Sequence, residues 1–269
     1  MKIKQIIPSL SALVVAAGCS LPAHAGFVVL DGWQLTSDAG TTTDIGRLNL
    51  VSGDATVFQE VNADNNVFVG ARFQESGQIF SVTYTPENTI GPLDSGAPGF
   101  LQDQFTISFS DVLGTVDALV GSGFHFVFTG GNYTISALNG GSASGSIVGL
   151  DGTSGSSSTV SGTTGATTLL GNILSTASIF DFKDSSGLSL LPLLATGQVL
   201  FEATTNNQIT GATGFGACPF DAGAACATVT AASAGDAYLV RVVPEPGTVA
   251  LVGLALGALG FVGRRRRQV

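Results

Sequence analysis

The two-residue period of its apolar side chains restricts this chain more than any other feature. Between residues 78 and 85, Phe80, Val82 and Tyr84 alternate with Ser81, Thr83 and Thr85. Phe105, Ile107 and Phe109 alternate with Thr106, Ser108 and Ser110, and Phe124, Phe126 and Phe128 repeat the spacing. Tyr133, Ile135 and Ala137 take it up again after the turn signal Gly130-Gly131-Asn132. Successive side chains of a strand point to opposite faces, so this period fits half-buried strands of an antiparallel sheet. Further strand candidates are residues 27–30, 47–51, 56–61, 67–73 and 237–243, with turn-prone breaks at 62–66 and 94–99. Helical signal is confined to 167–174 and 188–194, and Pro192 limits the second. The expected fold is all-β: an antiparallel β-sandwich or jelly-roll-like body.

The two ends of the chain obey other rules. Lys2 and Lys4 precede a largely apolar stretch over 6–17, and Ala23-His24-Ala25 places small residues before a cut between Ala25 and Gly26. This is the pattern of a secretory signal peptide with its short helix. A competing reading makes Cys19 a lipoprotein cysteine, but the position three before it is Ala16 rather than a larger aliphatic residue. Either reading exports the body. At the other end, Pro244 and Pro246 keep their neighbours extended, residues 247–263 carry no charge, and Arg264, Arg265, Arg266 and Arg267 follow. As a single transmembrane helix, 247–263 would span about 25 Å, just short of a hydrocarbon core of roughly 30 Å. The arginines would hold its end on the cytoplasmic side. A plain C-terminal anchor has the same composition.

The order of the parts says more than the composition. Pro244-Glu245-Pro246, a short Gly/Ala-rich helix and a closing basic cluster together resemble the PEP-CTERM sorting signal of Gram-negative surface proteins. The resemblance covers about a tenth of the chain. It implies that an exosortase, a membrane-embedded cysteine transpeptidase, recognises the tail and removes it. Pro244, Glu245 and Pro246 would be the recognised motif, and Arg264 to Arg267 the stop-transfer cluster. With the signal peptide taking the chain through the Sec export machinery, the resemblance further implies a transient stay in the inner membrane and delivery to the cell surface or extracellular matrix.

The domain plan is then a signal peptide (1–25), an extracellular body (26–243) and a sorting tail (244–269). In the body, Arg47, Arg72, Lys183 and Arg241 face 18 acidic residues, a formal charge of −14. Long-range repulsion sets such a body against nucleic acid and other polyanions. Segment 139–165 is Gly, Ser or Thr at 20 of 27 positions, and reads equally as a linker or as small-residue strands. Cys218 and Cys226 are the only cysteines in the body and enclose a Pro/Gly/Ala loop. In an exported protein such a pair most often forms a disulfide, worth about 2–3 kcal/mol for so short a loop. A reduced pair is the alternative. Zinc would need two more ligands, and His125 is the body's one histidine.

Motifs for catalysis are missing: no Gly-x-Ser-x-Gly elbow, phosphate loop or His-Glu-x-x-His occurs. His125 reads as structural, since no nucleophile motif accompanies it. Turns 62–66 and 181–187 are acidic but lack calcium-loop spacing, and Trp33, the sole tryptophan, reads as core. No cofactor and no metal is expected. The expected function is a non-enzymatic surface or matrix component, associated with biofilm or floc through the tail resemblance, with extracellular polysaccharide as a partner. Two alternatives remain. A carbohydrate-binding module would display Trp33, Tyr84 or Tyr133 in a groove. A secreted hydrolase would use His125 or a close pair of carboxylates.

Overall fold

The computed structural model describes residues 26–86, 101, 103–149 and 156–243. The expected signal peptide with Ala25, the 94–99 turn, the Pro244-Glu245-Pro246 motif, the helix over 247–263 and the arginine cluster lie outside the described residues. One compact unit runs from Val28 to Val242. The other comprises residues 1–27 and 243–269 and is described only at Gly26, Phe27 and Val243, all within strands. Among the described residues, no helix is long and apolar enough to cross a membrane.

Among the described residues twelve strands follow in chain order: β1 (Gly26–Val29), β2 (Trp33–Ser37), β3 (Gly40–Val61), β4 (Arg72–Pro86), β5 (Phe105–Val120), β6 (Gly123–Ala137), β7 (Ser142–Ile147), β8 (Ser157–Ser161), β9 (Thr164–Ala177), β10 (Asp181–Lys183), β11 (Val199–Cys218) and β12 (Asp221–Val243). Among the described residues one short helix, α1 (Leu191–Ala195), precedes β11. The expected all-β, antiparallel character holds; the expected pair of facing sheets does not. All the strands belong to one sheet, ordered β1-β12-β11-β9-β7-β6-β5-β4-β3-β2-β10. That path closes, because β12 also pairs with β3 from Ala225↔Val61 to Ala237↔Leu48. The ring β3-β4-β5-β6-β7-β9-β11-β12 thus has eight positions, with β7 and β8 sharing the one between β6 and β9. Closure gives β3 and β12 partners on both sides, and β4 is paired with β5 from Arg72 to Ile79.

Closure depends on strands much longer than the sequence breaks suggest. Residues 47–51 and 56–61 belong to one strand, β3, and Gly130-Gly131 lies inside β6 rather than at a turn. These glycines allow bulges that bend the strand and switch its inward phase. In β5 the buried set passes from Phe105 and Ile107 to Val112 and Val116, across a register shift between Ser110 and Leu113. Opposite, in β6, it passes from Phe128 to Tyr133 and Ile135. Gly131 takes φ +152°, and a Cβ there would sit 2.7 Å from the Cα of Val112, so glycine is required. β4 bulges likewise: Ile79 and Val82 are buried, while Phe80 is exposed and drops out of the pairing with β3. The expected common face of Phe80, Val82 and Tyr84 is therefore broken at Phe80.

Other expectations resolve in the same way. Residues 167–174 form part of β9 and not a helix, whereas 188–194 overlaps α1 from Leu191 to Leu194, with Pro192 in its first turn. Segment 139–165 supplies β7, β8 and the start of β9, which favours strands over a linker. Residues 67–73 are mostly loop, and only Arg72 and Phe73 enter β4. Along β11, Phe201, Ala203 and Thr205 are buried while Thr204, Asn206 and Gln208 face solvent. Elsewhere the outer surface also carries apolar side chains, among them Phe80, Leu113, Leu174 and Phe215.

One end of the ring is plugged. Trp33 of β2 packs on Phe182 of β10 with ring centroids 6.0 Å apart, and Phe180 meets Phe105 and Phe182 edge-on. Leu194 of α1 is fully buried in the same cluster. β10 is held by pairing to β2, and the Leu190 N–H donates to the Phe182 carbonyl. A cleft of about 200 Å³ lies beside this plug, lined by Leu30, Asp31, Trp33 and Arg241 among others.

Candidate functional site

At the opposite end the strands turn over through 62–71, 121–122, 162–163 and 219–220. Here the interior is hollow. A cavity of about 280 Å³ is lined by Phe73 of β4, by Phe124, Phe126 and Phe128 of β6, and by Val57, Val160, Ile209 and Val229 from strands around the ring. The phenyl groups brace one another, with Phe73 edge-on to both Phe126 and Phe128 at 5.5 and 5.3 Å. An eight-position barrel encloses just enough room for side chains or one small ligand. At this end the side chains leave the space unfilled.

Glu75 forms the floor. It lines both this cavity and a smaller void of about 50 Å³ toward the barrel centre, where Tyr133, Phe201 and Asp54 also appear. The residue is half-buried, and burial pushes the pKa of its carboxyl up to about 7. It has no hydrogen-bond or ion-pair partner among the described residues. The other polar groups of the lining are already engaged. Asn207 Nδ2 donates to Thr167 Oγ1, which donates to Ser158 Oγ, and Thr205 Oγ1 donates to Asn207 Oδ1. Gln59 Nε2 donates to the carbonyls of Glu60 and Arg72. Below, the Tyr133 hydroxyl donates to the Asn172 carbonyl at 2.9 Å, and burial raises its pKa. The ring of Tyr133 fits only because residue 171 is glycine; a Cβ there would lie 2.4 Å from Tyr133 Cε1.

The rim is stitched by charge and by sulfur. Arg72 donates to Glu60 at 3.1 Å and to Asp221, and its guanidinium lies 5.4 Å over the Phe220 ring. Burial works to raise the pKa of Glu60, but hydrogen bonds from Arg72 outweigh it and leave it lowered. Arg72 likewise holds Asp221 below the usual carboxylate range. Cys218 and Cys226 are joined in a disulfide at the tip of the β11–β12 hairpin, as their spacing predicts. Both are buried.

The remaining sequence candidates scatter. His125 alternates with the cavity-lining Phe124 and Phe126, so it faces outward, with Nδ1 2.6 Å from Asp117 Oδ1. Trp33 and Tyr133 are buried in the core instead of lining an exposed groove, and Tyr84 packs half-buried against that core. In turn 62–66, Asn62 Oδ1 accepts the N–H groups of Asp64 and Asn66. In 181–187, Asp184 accepts from the Ser186 hydroxyl and the Leu188 N–H, which lowers its pKa. Among the described residues, no group of three His, Cys, Asp or Glu stands ready for a metal ion. Gly26, beyond the expected signal cut, opens β1.

Sequence reasoning missed Glu75, Gln59 and Asn207. A signal for Glu75 existed: it shares the odd-numbered inward phase of Phe73 and Ile79, a carboxylate written into an apolar face.

Comparison with known proteins bears on the tail. A model of the PEP-CTERM protein-sorting motif matches residues 242–267. No curated protein and no solved structure matches the chain. The chain thus carries a PEP-CTERM sorting motif, the mark of an exported protein sorted by an exosortase, and the match begins within the last residues of β12.

Proposed function

We propose that this chain is a non-enzymatic component of the cell surface or extracellular matrix, delivered as a folded barrel and released from its tail by an exosortase. The sorting motif at 242–267 carries this reading, because it starts where the closing strand of the barrel ends. Removal of residues beyond Val243 would leave every β3–β12 and β11–β12 pair in place. The −14 charge of the body suits a solvated, extracellular setting. The disulfide suits an oxidising compartment. On this reading the signal peptide takes the chain through the Sec machinery and the helix over 247–263 holds it in the inner membrane for processing. The body then joins a polysaccharide-rich matrix of the biofilm or floc type.

Replacing Pro244 and Pro246 with alanine tests the delivery step. The variant is expected to stay in the inner membrane fraction with its tail attached. Recovery of the variant outside the cell at the mass of the normal mature product would overturn the proposal.

A further inference from the structure

The hollow half of the barrel has a shape, a lining and a single unspent polar group. An apolar cavity of about 150 Å³ accepts benzene, so 280 Å³ suits a molecule on the order of a dozen non-hydrogen atoms. The lining is mostly aromatic and aliphatic, and its Asn, Thr, Ser and Gln side chains bond to one another or to backbone. Glu75 alone among the ionisable groups lines this cavity, at its floor and without a partner among the described residues. A buried carboxyl with no partner is costly to ionise, and a cation placed against it removes that cost. The sign of the ligand follows from the body, whose −14 charge draws cations in and turns carboxylates and phosphates away. Exposed Phe68 and Val69 of the 62–71 loop and Leu119 and Val120 at the end of β5 lie at this same end, where an apolar molecule would first touch.

We propose that the hollow half of the barrel binds a small apolar amine, its hydrocarbon among Phe73, Phe126, Phe128 and Val229 and its ammonium against Glu75. The site is independent of the sorting function. Tyr133 of β6 and the exposed Asp54 of β3 are the other titratable groups lining the adjoining void with Glu75. Tyr133 stays neutral, because burial raises its pKa. Amine binding therefore strengthens as pH rises from 5 to 8 and Glu75 becomes an anion.

Calorimetry on the exported protein with decylamine, decan-1-ol and decanoate at pH 8 tests this, since the three share a chain and differ in headgroup. Decylamine is expected to bind one to one and at least tenfold more tightly than decanoate, with the alcohol between them. Glu75→Gln is expected to erase the amine preference and its pH dependence while keeping the alcohol. Ala231→Phe, which fills the cavity from β12, is expected to abolish binding of all three. No binding of decylamine, equal binding of decylamine and decanoate, or an amine preference that survives Glu75→Gln would each overturn the proposal. The amine-to-carboxylate comparison on the unaltered protein decides the question even where a variant fails to fold.

Discussion

The two ends of the barrel share one ring of strands and treat its interior in opposite ways. At the plugged end, β2, β10 and α1 bring Trp33, Phe182 and Leu194 inward, and each is fully buried. At the hairpin end the ring contributes Phe73, Phe124, Phe126 and Phe128, yet a cavity of about 280 Å³ remains among them. Aromatic content does not separate the two. The extra elements do: the plug is built from segments added to the ring, while three of the four connections at the hairpin end are two-residue turns. A ring of eight positions leaves an interior that must be filled, and among the described residues only the plugged end has added elements that fill it.

The contrast predicts unequal responses to truncation. Phe182→Ala should cost about 3–5 kcal/mol, since it opens a new cavity in a packed cluster. Phe126→Ala should cost only about 1–2 kcal/mol, because it enlarges space that already exists. Equal losses in denaturant unfolding would erase the distinction between the ends. Next in size is the staple on the hairpin rim, where the double change Cys218→Ala and Cys226→Ala should cost about 2–3 kcal/mol. A loss that vanishes when the unaltered protein is compared in reductant would confirm that the bond is responsible.

Glu75 gives a smaller effect with a definite sign. Its native pKa of about 7 lies above the ordinary 4.5, so the native state holds the proton more tightly than the unfolded chain. Stability should fall as pH rises from about 4.5 to about 7 and then level off. Glu75→Gln should recover roughly 1–3 kcal/mol at pH 8 and nothing at pH 4, the range allowing for water in the cavity. A variant no more stable than the parent at pH 8 would mean that the hollow end is wet enough to solvate a carboxylate. The smallest effect belongs to Arg72→Gln, at an exposed ion pair. It should lower the unfolding midpoint slightly at low salt and not at all in high salt.

The sequence made some of this architecture legible and hid the rest for physical reasons. Alternation in 105–109 and 124–128 correctly marks inward faces, because between bulges a strand keeps strict phase. Gly130-Gly131 misleads, since glycine signals a turn and a bulge alike, and only the partner strand tells them apart. Phe80 misleads similarly: it continues a pattern that the bulge beside it has already reversed. Residues 167–174 look helical because Leu169 and Leu170 are apolar on both faces. Leu170 in fact packs outside the ring, in a satellite cluster with Leu200 and Val240. The closing pair of β3 and β12 joins residues more than 160 positions apart and leaves no local trace. The disulfide was legible from spacing and compartment alone. The cavity was not, because it is a void between side chains from seven strands, and only the inward phase of Glu75 hinted at it.

The sorting account has its most direct test in the intact mass of the protein recovered outside exosortase-containing cells, measured without reductant. The predicted mass is that of a chain lacking both the signal peptide and everything after the neighbourhood of Pro244-Glu245-Pro246, less two hydrogens for the Cys218–Cys226 bond. A surface-exposed product that still carries residues 247–269 would show that the tail is a permanent anchor and would contradict the account.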